Sequence, residues 1–225
     1  MKSKTWTLLF LCFCLSCGSV KRTDNTDIFE KSFGLKNSKD LEKFVQKFEK
    51  LVLTPNYSTG DLTEKYKDFA KTCLEKGVVD ALPAINGALI EFRETQAWNE
   101  IYAQVDSVWT GKYEQLSGRI IYNSEKGTKN IGTTGYPTRR ISNLDSLKTS
   151  ILKWQVWNNY GKYVTALEKV KKGNAFIEEY YQVKTKVGEI SSEIFCDMLR
   201  RHNPDFENQL IRNIIAVEFA LLYVS

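Results

Sequence analysis

Apolar residues recur along most of the chain with the spacing of helices that each bury one face. They stand three, four and seven positions apart after Asn37, between Gly60 and Lys76, and again beyond Asn143. This spacing is typical of amphipathic helices packed on a core. From Phe206 onwards the apolar positions cover more than half of the helix circumference, which predicts the central helix of a bundle.

The clearest apolar stripe lies in the middle of the chain, and a break follows it. Its residues fall within an arc of about 120 degrees on a helical wheel, which predicts one long helix. They are Trp98, Ile101, Tyr102, Val105, Val108 and Trp109, extended by Tyr113, Leu116 and Ile120. Residues 123–142 hold three glycines and a proline. This composition predicts a long loop or a small hairpin.

The complete pattern predicts an all-α fold. The expected helices cover residues 37–54, 60–76, 78–93, 98–120, 143–170, 176–201 and 206–225. We expect Asn37 or Ser38 to cap the first helix and Pro55 to close it. The fold class is an irregular multi-helix bundle of about six or seven helices, with one long loop or small hairpin near 123–142.

The first residues have the layout of a secretion signal. Lys2 and Lys4 precede twelve residues without charge, which is shorter than the roughly twenty apolar residues of a membrane-spanning helix. The uncharged stretch ends in the segment Leu15-Ser16-Cys17-Gly18-Ser19. The domain organisation that we predict is a signal peptide at 1–16, a flexible tether at 17–36 and a single helical domain at 37–225.

The segment ending at Cys17 resembles the lipobox of bacterial lipoproteins, in which a small residue precedes a cysteine at the end of the apolar stretch. It departs from the usual pattern at Cys14, which stands where leucine is common. The resemblance implies cleavage just before Cys17, acylation of its sulfur and of the new amino terminus, and attachment to a membrane. Two other interpretations stay open: ordinary cleavage with Cys17 as a free thiol, and a buried N-terminal strand of a cytosolic protein.

The location implied by this resemblance is the cell envelope. No acidic residue follows Cys17 before Asp24. The chain therefore resembles lipoproteins that lack an early retention aspartate, which implies an outer-membrane protein facing the periplasm.

Charge and residue chemistry argue against several classes of function. The formal net charge of +5 is mild and interspersed, so we expect no nucleic-acid partner. His202 is the only histidine, and with Cys73 and Cys196 it cannot supply four zinc ligands, so we expect no metal. No glycine-rich phosphate loop follows a strand, and we expect no cofactor.

The two domain cysteines, Cys73 and Cys196, stand among apolar residues of predicted helices. Free cysteine behaves as a small core residue in such positions, and this interpretation is favoured. Export would also permit a disulfide between them, and the sequence leaves that question open.

Two features are candidates for functional chemistry. Glu218 lies within the apolar arc of the last helix, where a carboxylate is either paired with a core-facing partner or functional. The predicted loop presents Tyr136, Arg139 and Arg140, a combination suited to an acidic partner or surface.

Three functional hypotheses follow. The first is a membrane-anchored envelope lipoprotein with a non-catalytic helical domain that binds a partner or has a structural role. The second is an acid/base enzyme that uses Glu218, with Glu178 or Glu179 as its partner carboxylate. The third is a sensor or inhibitor that docks an envelope protein through residues 123–142.

Overall fold

The fold is known from a computed structural model, which describes residues 24–57, 60–76, 85–111, 115–136 and 143–221. The helices are α1 (Asp24–Phe33), α2 (Leu35–Phe48), α3 (Thr54–Asn56), α4 (Leu62–Lys76), α5 (Asn86–Arg93), α6 (Gln96–Ile101), α7 (Leu144–Ile151), α8 (Lys162–Val170), α9 (Ala175–Val187), α10 (Ser192–His202) and α11 (Gln209–Leu221). A π-helical turn, Glu49–Leu53, joins α2 to α3. The strands are β1 (Tyr102–Thr110), β2 (Leu116–Asn123), β3 (Lys129–Tyr136) and β4 (Gln155–Trp157).

The all-α prediction is wrong, because four strands form an antiparallel sheet in the order β3-β2-β1-β4. The long helix predicted over 98–120 starts as α6 but turns into β1 at Tyr102. Val105 and Val108 fit both the helical spacing and a strand of β-branched residues, so the wheel could not separate the two. The fold is a mixed α/β domain.

The hairpin between β2 and β3 occupies the region expected to be a loop or hairpin. The Gly127 N–H donates to the Ser124 carbonyl at 2.9 Å, and Gly127 has a φ of +75°. The Ser124 N–H donates to the Thr128 carbonyl at 2.8 Å. This arrangement is typical of a type I turn followed by a glycine bulge.

Two tyrosine–glycine contacts set the shape of this hairpin. A Cβ on Gly132 would lie 2.8 Å from the Tyr122 ring, and one on Gly118 would lie 3.1 Å from the Tyr136 ring. Each ring therefore covers a glycine on a neighbouring strand, which is a known way of fixing strand register. Tyr122 and Tyr136 both pack against the small core between the sheet and α7.

The main core lies among the helices and is centred on α11. Every residue from Leu210 to Ala220 is buried, which confirms α11 as the central helix. A second, smaller core lies between one face of the sheet and α7. Its buried residues are Ala103, Val105, Leu116, Ile120 and Ile151.

The flexible tether predicted for residues 17–36 is wrong where the structure describes it. Asp24–Phe33 form α1, and its Phe29 and Phe33 rings are fully buried. They pack edge-on against Tyr163, with centroid distances of 5.6 and 5.4 Å. A helix this short gains its stability from tertiary packing, which the local pattern does not show. Residues 1–23, including the predicted signal peptide and Cys17, lie outside the described residues.

Several helix boundaries differ from their predicted positions. Pro55 does not close the first helix, because it sits in the first turn of α3, where a missing N–H breaks no helical bond. The helix predicted over 176–201 is split at Gly188, whose φ of +83° ends α9. Asn143 caps α7 by accepting a hydrogen bond from the Ser146 N–H at 2.9 Å. The helix predicted over 143–170 begins there but ends at Ile151, and β4 separates it from α8.

A fully buried asparagine, Asn158, joins the sheet to the helices. Its Nδ2 donates to the Asn123 carbonyl at 2.8 Å and to the Asn99 carbonyl at 3.3 Å. Its backbone N–H donates to the Ile101 carbonyl at 2.9 Å. One residue thus ties α6 and β2 to the start of α8, where Gly161 is the capping residue.

We expect Gly161→Ala to destabilise this junction strongly. A Cβ at Gly161 would lie 2.0 Å from the Glu100 carbonyl oxygen and 2.9 Å from Asn158 Nδ2, so backbone must move. The expected loss in free energy of unfolding is about 3 kcal/mol, at the upper end for overpacking. Gly87→Ala is the matched control, because a Cβ there meets nothing within 4 Å. Thermal unfolding of both variants tests the clash, and equal melting temperatures would contradict it.

Candidate functional site

Glu218 is buried in the core and has partners on α9. Its side chain is 5% exposed, and Lys184, which is fully buried, places Nζ 2.9 Å from Glu218 Oε1. The Tyr180 hydroxyl donates to the same oxygen at 2.7 Å. The burial predicted for Glu218 is confirmed, and its charge is compensated by an ammonium group.

Aromatic rings enclose this ion pair. Lys184 Nζ lies 4.3 Å from the centre of the Trp157 ring, which is a cation–π contact. The Tyr102 hydroxyl donates to the Val217 carbonyl at 2.6 Å. Burial raises the pKa of Tyr102, Tyr163 and Tyr180 well above the ordinary value of 10.0. These tyrosines stay protonated at physiological pH and can donate hydrogen bonds but not act as bases.

The carboxylates predicted to assist Glu218 point elsewhere. Glu178 is exposed on α9. Glu179 accepts a hydrogen bond from Arg201 Nη2 at 2.7 Å and contacts His202 Nε2. These two hydrogen bonds lower the pKa of Glu179 below its ordinary value of 4.5. The geometry therefore gives Glu218 a lysine and a tyrosine as neighbours, rather than a second carboxylate.

A partly buried carboxylate, Glu49, was missed by the sequence reasoning. It lies in the π-helical turn, and its Oε1 accepts hydrogen bonds from the Tyr66 hydroxyl and from Arg212 Nη1, each at 3.1 Å. Its side chain is 16% exposed. The only local signal was that Arg212 stands among the apolar residues of α11. Turns of π-helix occur often at functional sites. In this protein, however, the π-helical turn places the Glu49 carboxylate against Tyr66 and Arg212 inside the domain.

Glu100 on α6 is also buried, and its partners lie at the start of α8. Its Oε2 accepts a hydrogen bond from the Lys162 backbone N–H at 3.0 Å, and its Oε1 lies 3.6 Å from Lys162 Nζ. A carboxylate that accepts from the first turn of a helix is a common stabilising contact. The role of Glu100 is therefore structural.

We expect Glu49 to make the stability of the protein pH-dependent. Burial raises the pKa of Glu49 above its ordinary value of 4.5, although Arg212 and Tyr66 act in the opposite direction. A carboxyl with a raised folded-state pKa contributes stability that is fully present below its unfolded pKa and is lost as the pH rises through the folded value. Relative to Glu49→Gln, the wild type should therefore lose free energy of unfolding as the pH rises above the ordinary carboxyl pKa of 4.5.

Chemical denaturation at a series of pH values tests this expectation. Glu207→Gln is the control, because Glu207 is exposed. A difference that grows in favour of the wild type as the pH rises would mean that the Arg212 charge outweighs the burial of Glu49.

A groove of about 630 Å³ between α4 and α10 is open to solvent. Lys67, Lys71 and Arg200 line it. Lys67 pairs with Glu64 at 2.8 Å, and Arg200 pairs with Asp197 at 2.8 Å. Because two of the three cations already have carboxylate partners, the groove does not favour an anionic ligand.

The two cysteines of the domain are bonded to each other across this part of the molecule. Cys73 on α4 and Cys196 on α10 form a disulfide with a Cα–Cα distance of 6.0 Å. The free core cysteines favoured by the sequence pattern are therefore wrong. The apolar surroundings were predicted correctly, since both residues are buried, but the sequence could not show that α4 and α10 are neighbours.

The predicted binding residues Tyr136, Arg139 and Arg140 do not form one described surface. Tyr136 is half-buried at the end of β3, where its ring packs edge-on against Trp154 with a centroid distance of 5.2 Å. Arg139 and Arg140 lie outside the described residues. The hairpin itself, however, presents a strand edge.

β3 is an outer strand of the sheet in the part of the chain that the structure describes, with β2 as its neighbour. Hydrogen-bonded and non-hydrogen-bonded pairs alternate along an antiparallel ladder. The bond from the Ser124 N–H to the Thr128 carbonyl sets that alternation. The N–H and C=O groups that point away from β2 therefore belong to Lys129, Ile131, Thr133 and Gly135, and these four residues are exposed.

The sheet face opposite α7 carries exposed apolar side chains beside polar ones. Ile131 is 68% exposed and Trp109 is 42% exposed. Between them Arg119 forms an ion pair with Asp106. This half-polar face, together with the β3 edge, is the candidate binding site.

Neither a metal site nor a membrane span is found among the described residues. No three His, Cys, Asp or Glu side chains within those ranges are grouped so that they could hold a metal ion. The described helices include none with the length and apolar character needed to cross a membrane.

No protein-family model matches the chain, and no curated protein or solved structure matches it either. The chain therefore folds as a mixed α/β domain. Its buried charges have partners inside the core, and its sheet has an accessible edge at β3.

Proposed function

We propose that this chain is a lipid-anchored lipoprotein of the bacterial cell envelope, whose domain binds a partner protein through the β2–β3 hairpin without catalysing a reaction. The observation that carries the binding role is the outer position of β3, with its exposed backbone groups. Such an edge is a template for pairing with another chain.

The anchor is supported by the sequence around Cys17. Leu15, Ser16 and Cys17 end an uncharged stretch, as in a lipobox. Each buried methylene of an acyl chain adds about 0.8 kcal/mol, and two or more chains hold a protein stably on a membrane. The absence of an acidic residue between Cys17 and Asp24 favours the outer membrane, with the domain in the periplasm.

The Cys73–Cys196 disulfide also supports export. Disulfides persist in oxidising compartments such as the bacterial periplasm and are rare in the cytosol. The structural disulfide therefore favours a location in the cell envelope over one in the cytosol.

A binding role is favoured over catalysis by the state of the buried carboxylates. Glu218 is paired with Lys184, and Glu49 is paired with Arg212. A general acid or base must reach a substrate proton within about 3 Å, directly or through one water. The internal partners of these two carboxylates account for their burial without a substrate.

Intact mass and detergent partitioning of the protein from its membrane test the anchor. We expect acyl mass on residue 17 and partitioning into detergent for the wild type, and neither for Cys17→Ala. Cys14→Leu is the matched control: it restores the usual lipobox residue and should leave the mature mass unchanged, because residue 14 leaves with the signal. A soluble, unmodified wild-type protein would overturn the proposed anchor.

A further inference from the structure

We propose that the sheet face opposite α7, the open face, binds a neutral carbohydrate in a polar depression between α6 and the strands. This inference goes beyond the docking role of the hairpin, because it concerns the face of the sheet and a different class of ligand. It is carried by the hydrogen-bonding groups that the described residues bring together at this place.

The depression has a volume of about 380 Å³ and is open to solvent. The residues opposed across the strands show that its lining belongs to one face, since Gln104 pairs with Ile121 and Asn123 pairs with Lys129. The volume lies within the usual range of small-molecule sites. The side chains that line it are Asn99 on α6, Gln104 and Asp106 on β1, Ile121 and Asn123 on β2, and Lys129 on β3.

A β-bulge brings Asp106 into this lining. Val105 pairs with Ile120 and Ser107 pairs with Arg119, so Asp106 is the extra residue of β1. Bulges redirect side chains and are over-represented beside active sites. Asp106 Oδ2 accepts a hydrogen bond from Arg119 Nε at 2.6 Å, which holds the carboxylate in place and leaves Oδ1 available.

Three amide side chains of the lining are also held in fixed orientations. Asn99 Nδ2 donates to the Thr95 carbonyl at 3.3 Å, and Gln104 Nε2 donates to the Leu152 carbonyl at 3.3 Å. Asn123 Nδ2 donates to the Asn99 carbonyl at 3.4 Å. Because a backbone carbonyl can only accept, each amide must turn its NH₂ group towards the protein and keep its oxygen available.

The available groups define the chemistry of the ligand. The amide oxygens of Asn99, Gln104 and Asn123 and the second carboxylate oxygen of Asp106 all accept hydrogen bonds. Lys129 adds an ammonium group that has no carboxylate partner among the described residues. A fitting ligand therefore donates several hydrogen bonds and accepts at least one. Neighbouring hydroxyl groups on a sugar ring do both, since each hydroxyl is a donor and an acceptor.

The charges around the depression favour a neutral ligand. Asp106 and Lys129 carry opposite charges, and Arg119 is paired with Asp106. Glu125 and Lys126, both exposed in the turn between β2 and β3, offset each other. A cationic ligand would meet Lys129, and an anionic ligand would meet the row of acceptor oxygens. A neutral polyhydroxyl ligand meets neither repulsion.

Two variants test the site, each with a matched control. Lys129→Met removes the ammonium group of the lining, and Lys126→Met removes the same charge from the turn outside it. Asn99→Leu removes an amide oxygen from the lining, and Gln96→Leu changes another exposed amide of α6 outside it. Leucine is a strong helix former, so both α6 variants should keep the helix. Thermal unfolding verifies that all four variants fold.

The experiment uses the full chain isolated in a detergent without a sugar headgroup, because such headgroups would compete. The protein is applied to an array of neutral and acidic oligosaccharides, and the affinity for the best binder is measured by isothermal titration calorimetry. We expect neutral oligosaccharides to be retained. Their affinity should fall about tenfold or more for Lys129→Met and Asn99→Leu, which corresponds to about 1.4 kcal/mol or more. It should be unchanged for Lys126→Met and Gln96→Leu.

Three results would overturn the inference. An array without any retained oligosaccharide would show that the protein does not bind carbohydrate. Equal affinities of the wild type and the two lining variants would place the binding elsewhere on the molecule. A preference for carboxylated or sulfated oligosaccharides would contradict the neutral class of ligand. Each of these results leaves the proposed anchor and the docking role of the β3 edge as they stand, because neither depends on the open face.

Discussion

Replacing both Cys73 and Cys196 by alanine is expected to lower the free energy of unfolding by about 4 to 5 kcal/mol. The disulfide joins residues 123 positions apart, on α4 and α10. A cross-link of that span removes conformational entropy from the unfolded chain, and the effect grows with the length of the closed segment. Few single features of this fold have a larger expected contribution.

Chemical denaturation with and without a reductant measures this contribution. Reduction should shift the unfolding midpoint of the wild type to that of the double alanine variant and should leave the variant unchanged. Alanine is preferred to serine because both positions are buried among apolar side chains. Equal midpoints for the oxidised and reduced wild type would show that the bond contributes nothing to stability.

Lys184→Met is expected to cost about 3 to 5 kcal/mol of stability, because it leaves a buried carboxylate without its counter-charge. The Lys184 side chain is 0% exposed, and that of Glu218 is 5% exposed. Removing one member of a buried pair is far more costly than replacing both members by neutral groups. The double variant Lys184→Met/Glu218→Gln should therefore recover much of the loss, because the introduced amide can still accept a hydrogen bond from Tyr180.

Urea unfolding of the two single variants and the double variant measures the coupling. Lys186→Met is the control on the same helix; Lys186 is exposed, and a change within about 0.5 kcal/mol is expected. Purely additive losses would mean that Lys184 and Glu218 do not stabilise each other. In that case activity measurements on Glu218→Gln would test the catalytic hypothesis, because a catalytic carboxylate can be replaced without loss of the fold.

The helical part of the fold was largely predictable. The three-and-four spacing places α2, α4 and α11 close to their predicted segments, because each presents an apolar face to the same core. Asn143 marked the start of α7 for a local reason, the hydrogen bond that its side chain accepts from the first turn. Patterns of this kind are properties of a short stretch of chain and can be read without its neighbours.

The sheet was not predictable in the same way. β3 has the sequence KNIGTTGY, with two glycines and few of the apolar residues that identify a strand. It forms because the Tyr122 ring covers Gly132 and because β2 pairs with its whole length. Those contacts exist only after the hairpin has closed, so no local period indicates them.

For the candidate site residues, the sequence predicted burial but not the partner. The position of Glu218 on an apolar arc implied burial, and burial implied a partner. The identity of that partner, Lys184, depends on how α9 packs beside α11. The disulfide likewise depends on the contact between α4 and α10.

Local sequence accounts for the amphipathic helices, the apolar central helix, the burial of Glu218 and the secretion-like start of the chain, because each depends on residues close to one another along the backbone. The sheet, the burial of α1, the ion pairs of the core and the accessible edge of β3 arise only in the folded chain. They depend on contacts between distant segments, and their stability comes from packing and pairing that a local pattern cannot encode.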